Sequence, residues 1–202
     1  MADPSATRGF GLLEGFLARK RATKANSLIP QDYRGGRVLD IGAGSYPVFL
    51  LTTTFSEKVG IDQTFSDRIQ ANFADRSLTL VHHEISSGRA LPFGDEYFDV
   101  ITMLAVFEHI APEVLPNIFQ EVYRVLRHKG LLVITTPAEW TGFILNGMAK
   151  SRLVSNVEIS DHKRLYAAES IATVLRQTGF SRENIRYGYF ELHMNRWLTA
   201  IK

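Results

Sequence analysis

Short apolar runs recur along the chain, and the segments between them space their apolar residues as one face of a helix does. The runs that predict strands are 37–41, 58–62, 78–82, 100–104 and 131–136. The segments that predict helices are 47–54, 66–74, 112–127 and 168–177. Because apolar strands alternate with helices, the pattern predicts an α/β fold with a doubly wound, mostly parallel sheet.

The longest predicted helix, 112–127, is followed by His128, Lys129 and Gly130. Glycine adopts a left-handed conformation at helix ends at little cost, and cations are stabilised beside the last carbonyl groups. We therefore predict that the helix ends here, with Gly130 left-handed, and that the fifth strand begins at Leu131.

The first predicted strand ends near an acid, and a glycine-rich turn follows it. Asp40 lies two residues before Gly42, with Gly44 and Pro47 close behind. The two glycines predict a tight turn whose backbone can approach a ligand closely. Pro47 suits the first position of the next helix, where its missing amide donor costs nothing.

The acid before this turn indicates which ligand the turn receives. Dinucleotide-binding turns space their glycines G-x-G-x-x-G around a pyrophosphate, but Pro47 occupies the position of the third glycine. A carboxylate at Asp40 would repel a pyrophosphate and attract a cationic amine. S-adenosylmethionine carries such an amine, so the turn favours this cofactor. A nicotinamide-dependent oxidoreductase is the less favoured alternative.

The second predicted strand also ends in an acid. Asp62 lies 20 residues after Gly42, about where α/β nucleotide sites place the carboxylate that binds the ribose hydroxyls. A carboxylate can accept hydrogen bonds from both vicinal hydroxyls at once. We therefore predict that Asp62 binds the ribose of the cofactor.

Two stretches resemble the class I S-adenosylmethionine-dependent methyltransferases. The segment 38–47 resembles the first motif of that family, and 91–100 resembles its Leu-Pro-Phe stretch, acidic turn and Phe-Asp pair before the fourth strand. The chain departs from the family at Tyr46 and Pro47, where a glycine commonly completes G-x-G-x-G. The resemblance implies a Rossmann-like, seven-stranded sheet, which the C-terminal segment 184–201 completes as an antiparallel hairpin.

The resemblance also implies which residues bind S-adenosylmethionine. The expected cofactor-binding residues are Asp40, Gly42, Ala43, Gly44, Asp62, Gln63, Glu84, Ile85, Leu104 and Ala105. Among them, the glycine turn with Asp40 would hold the methionine end and Asp62 the ribose. Glu84 and Ile85 would border the adenine together with the backbone of Leu104-Ala105.

Methyl transfer from a sulfonium mainly requires positioning and exclusion of water, so no fixed catalytic triad is expected. A hydroxyl acceptor needs a base, and His109, just after the fourth strand, is the first candidate because histidine titrates near neutral pH. His162 is the second candidate, on the chain that returns from a predicted lid insertion at 138–165. Asp99 is expected to orient its loop and is not assigned a catalytic role.

The first part of the chain is predicted to precede a single domain. Residues 1–34 form a loose leader and an amphipathic helix, in which Leu13, Phe16 and Leu17 share one apolar stripe, and residues 35–202 form the methyltransferase domain. The helix is expected to pack and lead the chain to the sheet. Closure over the substrate and contact with an anionic membrane surface are the alternatives.

Composition narrows the choice of partners and of compartment. The chain has 202 residues, with 23 Lys and Arg against 21 Asp and Glu, and a formal charge of +2 does not predict a nucleic-acid partner. The absence of cysteine excludes disulfides and cysteine-ligated zinc and fits a cytoplasmic protein. No apolar run reaches the ~18 residues that a membrane span requires. His82, His83 and Glu84 are not expected to bind a metal, since adjacent strand residues point to opposite faces.

The sequence therefore predicts S-adenosylmethionine-dependent methyl transfer to a small-molecule acceptor. The stretch 190–202 loosely resembles the tails of bacterial methyltransferases associated with saccharide or lipid assembly, which points to a saccharide- or lipid-linked acceptor. The alternative is a cofactor-binding regulatory or partner protein without turnover. Oxygen, nitrogen and carbon acceptors, and the oligomeric state, are left open by the sequence.

Overall fold

The core of the protein is a seven-stranded sheet with helices on both faces. The computed structural model describes residues 14–73, 76–138 and 168–202. The strands are β1 Arg37–Ile41, β2 Glu57–Asp62, β3 Thr79–His82, β4 Phe98–Leu104, β5 Leu126–Pro137, β6 Ile185–Phe190 and β7 Asn195–Ile201. The helices are α1 Glu14–Leu28, α2 Val48–Thr52, α3 Asp67–Asn72, α4 Leu115–Val125 and α5 Ala168–Gln177.

The sheet has the order β3-β2-β1-β4-β5-β7-β6. The strands from β1 to β5 pair in parallel, and β7 pairs antiparallel with both β5 and β6. The predicted fold class is therefore confirmed, including the C-terminal antiparallel hairpin. The carboxyl ends of the parallel strands form one edge of this sheet, which we call the carboxyl edge, and ligands bind there in open α/β folds.

The two faces of the sheet bury separate apolar clusters. On one face α1 and α2 pack over Val38 of β1, and on the other α4 and α5 pack over Leu39. Consecutive strand residues point to opposite faces, and both of these side chains are fully buried. A central strand covered on both sides reads as a continuous apolar run, which is why the sequence predicted it correctly.

The start of β5 differs from the prediction. The helix α4 ends at Val125, and β5 begins at Leu126, which pairs with Phe98 before the register shifts. Lys129 adopts the left-handed conformation (φ +59°), and Gly130 does not. A Cβ on Gly130 would lie 2.7 Å from Leu126 Cδ1, so glycine is required here for close packing at an irregularity in the strand.

One expectation about the start of α2 and one about the buried side of α1 are also corrected. Pro47 precedes the first residue of α2, Val48, and caps the helix instead of starting it. In α1 the side chain of Phe16 is 54% exposed, so it is not part of a packing stripe. Ala22 and Ala25 make the buried contacts instead, because their small side chains let the helix approach the sheet closely. Leu13 lies outside the described residues.

The stretch before β4 is held by one arginine. Arg124 on α4 donates from Nη1 to the Phe93 carbonyl (2.9 Å) and to Asp95 Oδ1 (2.7 Å), and from Nη2 to the Leu91 carbonyl (3.1 Å). Glu121 Oε2 accepts from the Leu91 amide at 2.7 Å. The Leu-Pro-Phe stretch is thus tied to α4 through its backbone, away from the carboxyl edge.

Asp99 has the structural role that was predicted for it. Its Oδ2 accepts a hydrogen bond from the Arg37 amide at 2.7 Å, and its Oδ1 pairs with Arg127. A Cβ on Gly36 would lie 2.2 Å from this carboxylate, so the glycine leaves the space that Asp99 occupies.

Most of the predicted lid insertion at 138–165, with His162, lies outside the described residues. Within the described ranges, no helix combines the length and the apolar character needed to cross a bilayer.

Candidate functional site

The predicted glycine turn lies at the carboxyl edge, between β1 and α2. Gly42 and Gly44 both adopt left-handed conformations, with φ of +72° and +70°. The amides of Gly42 and Ala43 donate to the Ile61 carbonyl of β2 at 2.8 and 3.2 Å. The turn is therefore fixed to the end of the neighbouring strand by its own backbone.

The two glycines of the turn have different surroundings. A Cβ on Gly42 would lie 2.3 Å from Val106 Cγ2, so the segment that follows β4 packs directly against this backbone. A Cβ on Gly44 would meet no heavy atom within 4 Å. The turn is thus closed by protein at Gly42 and open at Gly44, as expected of a backbone that receives a ligand on one side.

Asp62 fixes the open end of the turn. Its Oδ2 accepts from the Gly44 amide at 2.9 Å, and its Oδ1 accepts from the amide and the hydroxyl of Thr64 at 2.8 and 2.7 Å. The side chain ends β2 and is buried. The structure therefore brings Asp62 to the turn that follows Asp40.

Asp40 is a buried acid whose only described hydrogen bond comes from a neutral group. Its exposed fraction is 4%, and Thr102 Oγ1 of β4 donates to its Oδ1 at 2.6 Å. Burial raises the pKa of Asp40 to about 7, the Thr102 hydrogen bond lowers it, and the charge of Asp62 raises it further. Within the described part of the chain, no cation pairs with this carboxyl.

This burial predicts a dependence of stability on pH. The pKa of Asp40 is near 4 in the unfolded chain and about 7 in the folded protein. The difference favours the folded state fully below pH 4, and this contribution to stability is lost as the pH rises to 7. The loss amounts to about 1.4 kcal/mol per pH unit. Asn at position 40 can still accept from Thr102 and carries no charge, so Asp40→Asn is expected to remove this loss.

The measurement is urea unfolding of the wild type and Asp40→Asn at pH 5.5 and pH 7. The free energy of unfolding of the variant relative to the wild type is expected to increase by about 2 kcal/mol between these pH values. An unchanged difference would show that Asp40 titrates in the folded protein as it does in the unfolded chain.

The remaining predicted cofactor residues border the same edge. Gln63 follows Asp62 and is exposed, and Glu84 is exposed after β3, where its Oε1 accepts from Ser86 at 3.2 Å. Ile85 is half-buried. The structure places these residues around the ends of β2 and β3, where the sequence predicted them.

Leu104 and Ala105 lie at the end of β4 and are half-buried. Ala105 has a positive φ of +57°, which is unusual for a residue with a Cβ, and its amide donates to the Thr135 carbonyl at 2.9 Å. Backbone strain of this kind persists where the surrounding structure enforces it, often beside a ligand.

His109 ends a short 3-10 turn, Phe107–His109, directly after this segment and is half-buried. Next to it Glu108 is 1% exposed, and Thr136 Oγ1 of β5 donates to its Oε2 at 3.4 Å. His109 thus lies at the carboxyl edge as predicted, beside a buried acid.

Sequence reasoning missed three contacts that shape the site. Thr102 donates to Asp40, Thr64 donates to Asp62, and Val106 packs against Gly42. Thr102 is the register partner of Asp40 in the β1–β4 pair. A threonine inside an otherwise apolar strand was the signal that could have revealed this contact.

Comparison of the sequence with protein families gives a match over part of the chain. Residues 39–134 match a family model described as a methyltransferase domain. No curated protein matches the sequence.

Solved structures share the fold over nearly the whole chain. An S-adenosylmethionine-dependent methyltransferase from Thermotoga maritima aligns over 93% of this chain and 92% of its own, with a TM-score of 0.69 and 18% identity. One from Mesorhizobium loti aligns over 92% and 98%, with a TM-score of 0.66 and 16% identity. Phosphoethanolamine N-methyltransferase 2 from Haemonchus contortus, in complex with phosphomonomethylethanolamine and S-adenosylhomocysteine, aligns over 91% of this chain and 52% of its own, with a TM-score of 0.66 and 15% identity.

At these identities the solved structures establish the fold. The matched residues, 39–134, contain the last three residues of β1, the glycine turn, Asp62 and most of β5. The match and the fold are those of a methyltransferase domain, consistent with a class I S-adenosylmethionine-dependent methyltransferase.

Proposed function

We propose that this chain binds S-adenosylmethionine at the carboxyl edge and transfers its methyl group to a small-molecule acceptor in the cytoplasm. The proposal depends on one observation above all. Asp40 is a buried acid beside an open glycine turn, and no cation pairs with it in the described residues. A cationic amine placed there would stabilise the ionised carboxylate and lower its pKa again.

The residues present fit this cofactor from its methionine end onwards. The amine would lie near Asp40, and the rest of the amino-acid end would lie against the turn from Gly42 to Gly44, which is open at Gly44. Asp62 and Gln63 would hold the ribose. Asp62 already accepts three hydrogen bonds, and its Oδ2 can accept a further one from a hydroxyl.

The adenine side would be formed by Glu84, Ile85, Leu104 and Ala105. These residues end or follow β3 and β4, on either side of β1 and β2 in the sheet order. Ile85 is half-buried and can pack on one face of a purine ring, and Glu84 can accept from its exocyclic amine.

When bound, the cofactor supplies an activated methyl group on a cationic sulfonium. The chain contributes orientation of the acceptor, exclusion of water and, for an acceptor that carries a hydroxyl, removal of a proton. His109 is the first candidate to accept that proton, since it lies at the carboxyl edge after β4. His162 is the second candidate.

The acceptor is proposed to be a small molecule. The Haemonchus contortus structure, which contains phosphomonomethylethanolamine, supports an acceptor of this size. The 138–165 segment follows the end of β5 and is proposed to cover the acceptor as a lid.

Calorimetric titration tests the cofactor. S-adenosylhomocysteine and S-adenosylmethionine are expected to bind the wild-type chain in the micromolar range, and NAD is expected not to bind. Binding of NAD in preference to S-adenosylhomocysteine would overturn the proposal, because it would show that the turn accepts a pyrophosphate.

Turnover is tested separately with methyl-labelled S-adenosylmethionine and a panel of hydroxyl, amine and carbon acceptors. Transfer of label to an acceptor supports the proposed enzyme. Cofactor binding without transfer to any acceptor would favour the regulatory or partner protein instead.

A further inference from the structure

We propose that the carboxyl edge over β5 and β7 docks on an anionic lipid surface, so that the acceptor is presented by a membrane. The surface consists of Phe16, Arg19 and Lys20 on α1, and of Tyr189 and Leu192 on the β6–β7 hairpin; we call it the rim. The consequence for the acceptor rests on the proposed function, whereas the docking itself does not.

The direction of α1 places its first turns at the carboxyl edge. At the end of α1, Asn26 Oδ1 accepts from Arg34 and Thr53 at 2.9 and 2.7 Å, and these residues precede β1 and β2. The last turn of α1 therefore lies at the opposite edge of the sheet, where the parallel strands begin.

The side chain of Lys24, two residues before Asn26, reaches toward the carboxyl edge. Its Nζ lies 5.0 Å from the ring centre of Trp197, which pairs with Thr135, two residues before the end of β5. Phe16 lies eight residues before Lys24, about 12 Å further along the helix axis. The remaining part of β5 spans only about 7 Å. Since the Lys24 side chain itself spans part of that distance, Phe16 lies at about the level of the carboxyl edge.

The exposed side of α1 is cationic. Arg19 and Lys20 are exposed, Arg21 and Lys24 are half-buried, and none of the four forms an ion pair within the described ranges. Lys20 Nζ lies 5.3 Å from the ring centre of Phe16, so charge and aromatic ring are presented together. Unpaired cations beside an exposed ring suit an anionic interface.

The hairpin tip brings a second apolar group to the same edge. Leu192 is 89% exposed, and the Ala138 amide, just after β5, donates to the Met194 carbonyl at 2.9 Å. Tyr189 is 47% exposed, and its ring lies 5.3 Å from the Arg196 guanidinium. Leu192 and Tyr189 thus lie at the carboxyl edge, which the first turns of α1 also reach.

Three consecutive residues of this tip have a left-handed backbone conformation. Glu191, Leu192 and His193 have φ of +52°, +53° and +67°, where glycine or asparagine would be favoured. A leucine that is both strained and almost fully exposed does not stabilise the fold. The exposure of Leu192 is explained if its side chain inserts into the apolar layer of a membrane.

A lipid surface fits this combination better than other partners do. Exposed apolar side chains would not favour nucleic acid, whereas interfacial anchors combine aromatic or aliphatic tips with Lys and Arg. The rim borders the proposed cofactor edge, so docking would bring the acceptor pocket to the headgroup region. We therefore infer an acceptor that is itself lipid-linked.

The test is co-sedimentation of the full chain with vesicles. The wild type is expected to bind vesicles of phosphatidylcholine with about one-third phosphatidylglycerol, to release them at high salt, and not to bind phosphatidylcholine alone. Arg19→Ala with Lys20→Ala is expected to weaken binding about thirty-fold. Phe16→Ala with Leu192→Ala is expected to weaken it about tenfold.

Two control variants remove side chains of the same kinds at the opposite edge of the sheet. Lys129→Ala with Arg182→Ala loses two exposed cations, and Ile201→Ala loses an exposed apolar side chain. Both control proteins should bind the vesicles as the wild type does. Titration with S-adenosylhomocysteine should be unchanged in every variant, which shows that each one is folded.

Three results would overturn the inference. The first is that the wild-type protein does not sediment with anionic vesicles. The second is that the control variants weaken vesicle binding as much as the rim variants do. The third is that the protein forms a dimer in solution that the rim variants dissociate, because a second copy of the chain would then be the partner of the rim. Failure to bind S-adenosylhomocysteine would instead overturn the proposed function and would leave the vesicle result standing.

Discussion

Replacing Asp40 by Asn is expected to weaken the binding of S-adenosylhomocysteine at pH 8 by about a hundred-fold. Asn conserves the size of the side chain and can accept the Thr102 hydrogen bond, so the loss measures the charge alone. At pH 8 the wild-type carboxyl, with a pKa of about 7, is mostly ionised and can face the cofactor amine. Calorimetric titration of both proteins at this pH is the measurement.

Asp99→Asn is the matched control for this experiment. It removes the same charge from an acid that binds the Arg37 amide and Arg127 at the far edge of the sheet. This variant should bind S-adenosylhomocysteine as tightly as the wild type. If Asp40→Asn also binds with unchanged affinity, Asp40 does not face the amine, and the contact that carries the proposed function is wrong.

Replacing Gly42 by Ala is expected to destabilise the fold by about 4 kcal/mol. Two costs combine here, because the left-handed φ of +72° disfavours a Cβ and the new atom would lie 2.3 Å from Val106 Cγ2. The free energy of unfolding, measured in urea, should fall by this amount, and the affinity for S-adenosylhomocysteine should fall with it.

Two further variants separate the two costs. Gly44 has nearly the same φ, +70°, but no neighbour within 4 Å, so Gly44→Ala should cost only about 1–2 kcal/mol. Val106→Ala removes the methyl groups that a Cβ on Gly42 would meet. Combined with Gly42→Ala, it should cost less than the sum of the two single changes. Full additivity would show that Val106 is not the obstacle.

The parts of the fold that could be predicted are those that local chemistry determines. Val38 and Leu39 are buried on opposite faces, so β1 appears in the sequence as an unbroken apolar run. Gly179 has a positive φ of +115° just after α5, where a glycine commonly ends a helix. The start of β5 could not be predicted, because its pairing of Leu126 with Phe98 depends on the tertiary register.

The residues of the candidate site likewise divide into those that the sequence could predict and those that it could not. Asp40 and Asp62 could be found from their spacing around the glycines, since each ends or nearly ends a strand. The hydroxyl of Thr102 could not, because it reaches Asp40 from another strand and depends on a register that the sequence does not state. The exposure of Phe16 was missed for a related reason: helical spacing gives a stripe, but not which stripe faces the sheet.

The Asp62 side chain belongs to both halves of the proposed cofactor site, the one for the ribose and the one for the amino-acid end. The same carboxylate that would bind the ribose already holds the Gly44 amide at 2.9 Å, and that amide belongs to the turn for the amino-acid end. Ordering of the turn by one fragment would therefore prepare the carboxylate for the other. Adenosine and homocysteine, offered as separate molecules, should each tighten the binding of the other, and by the same factor.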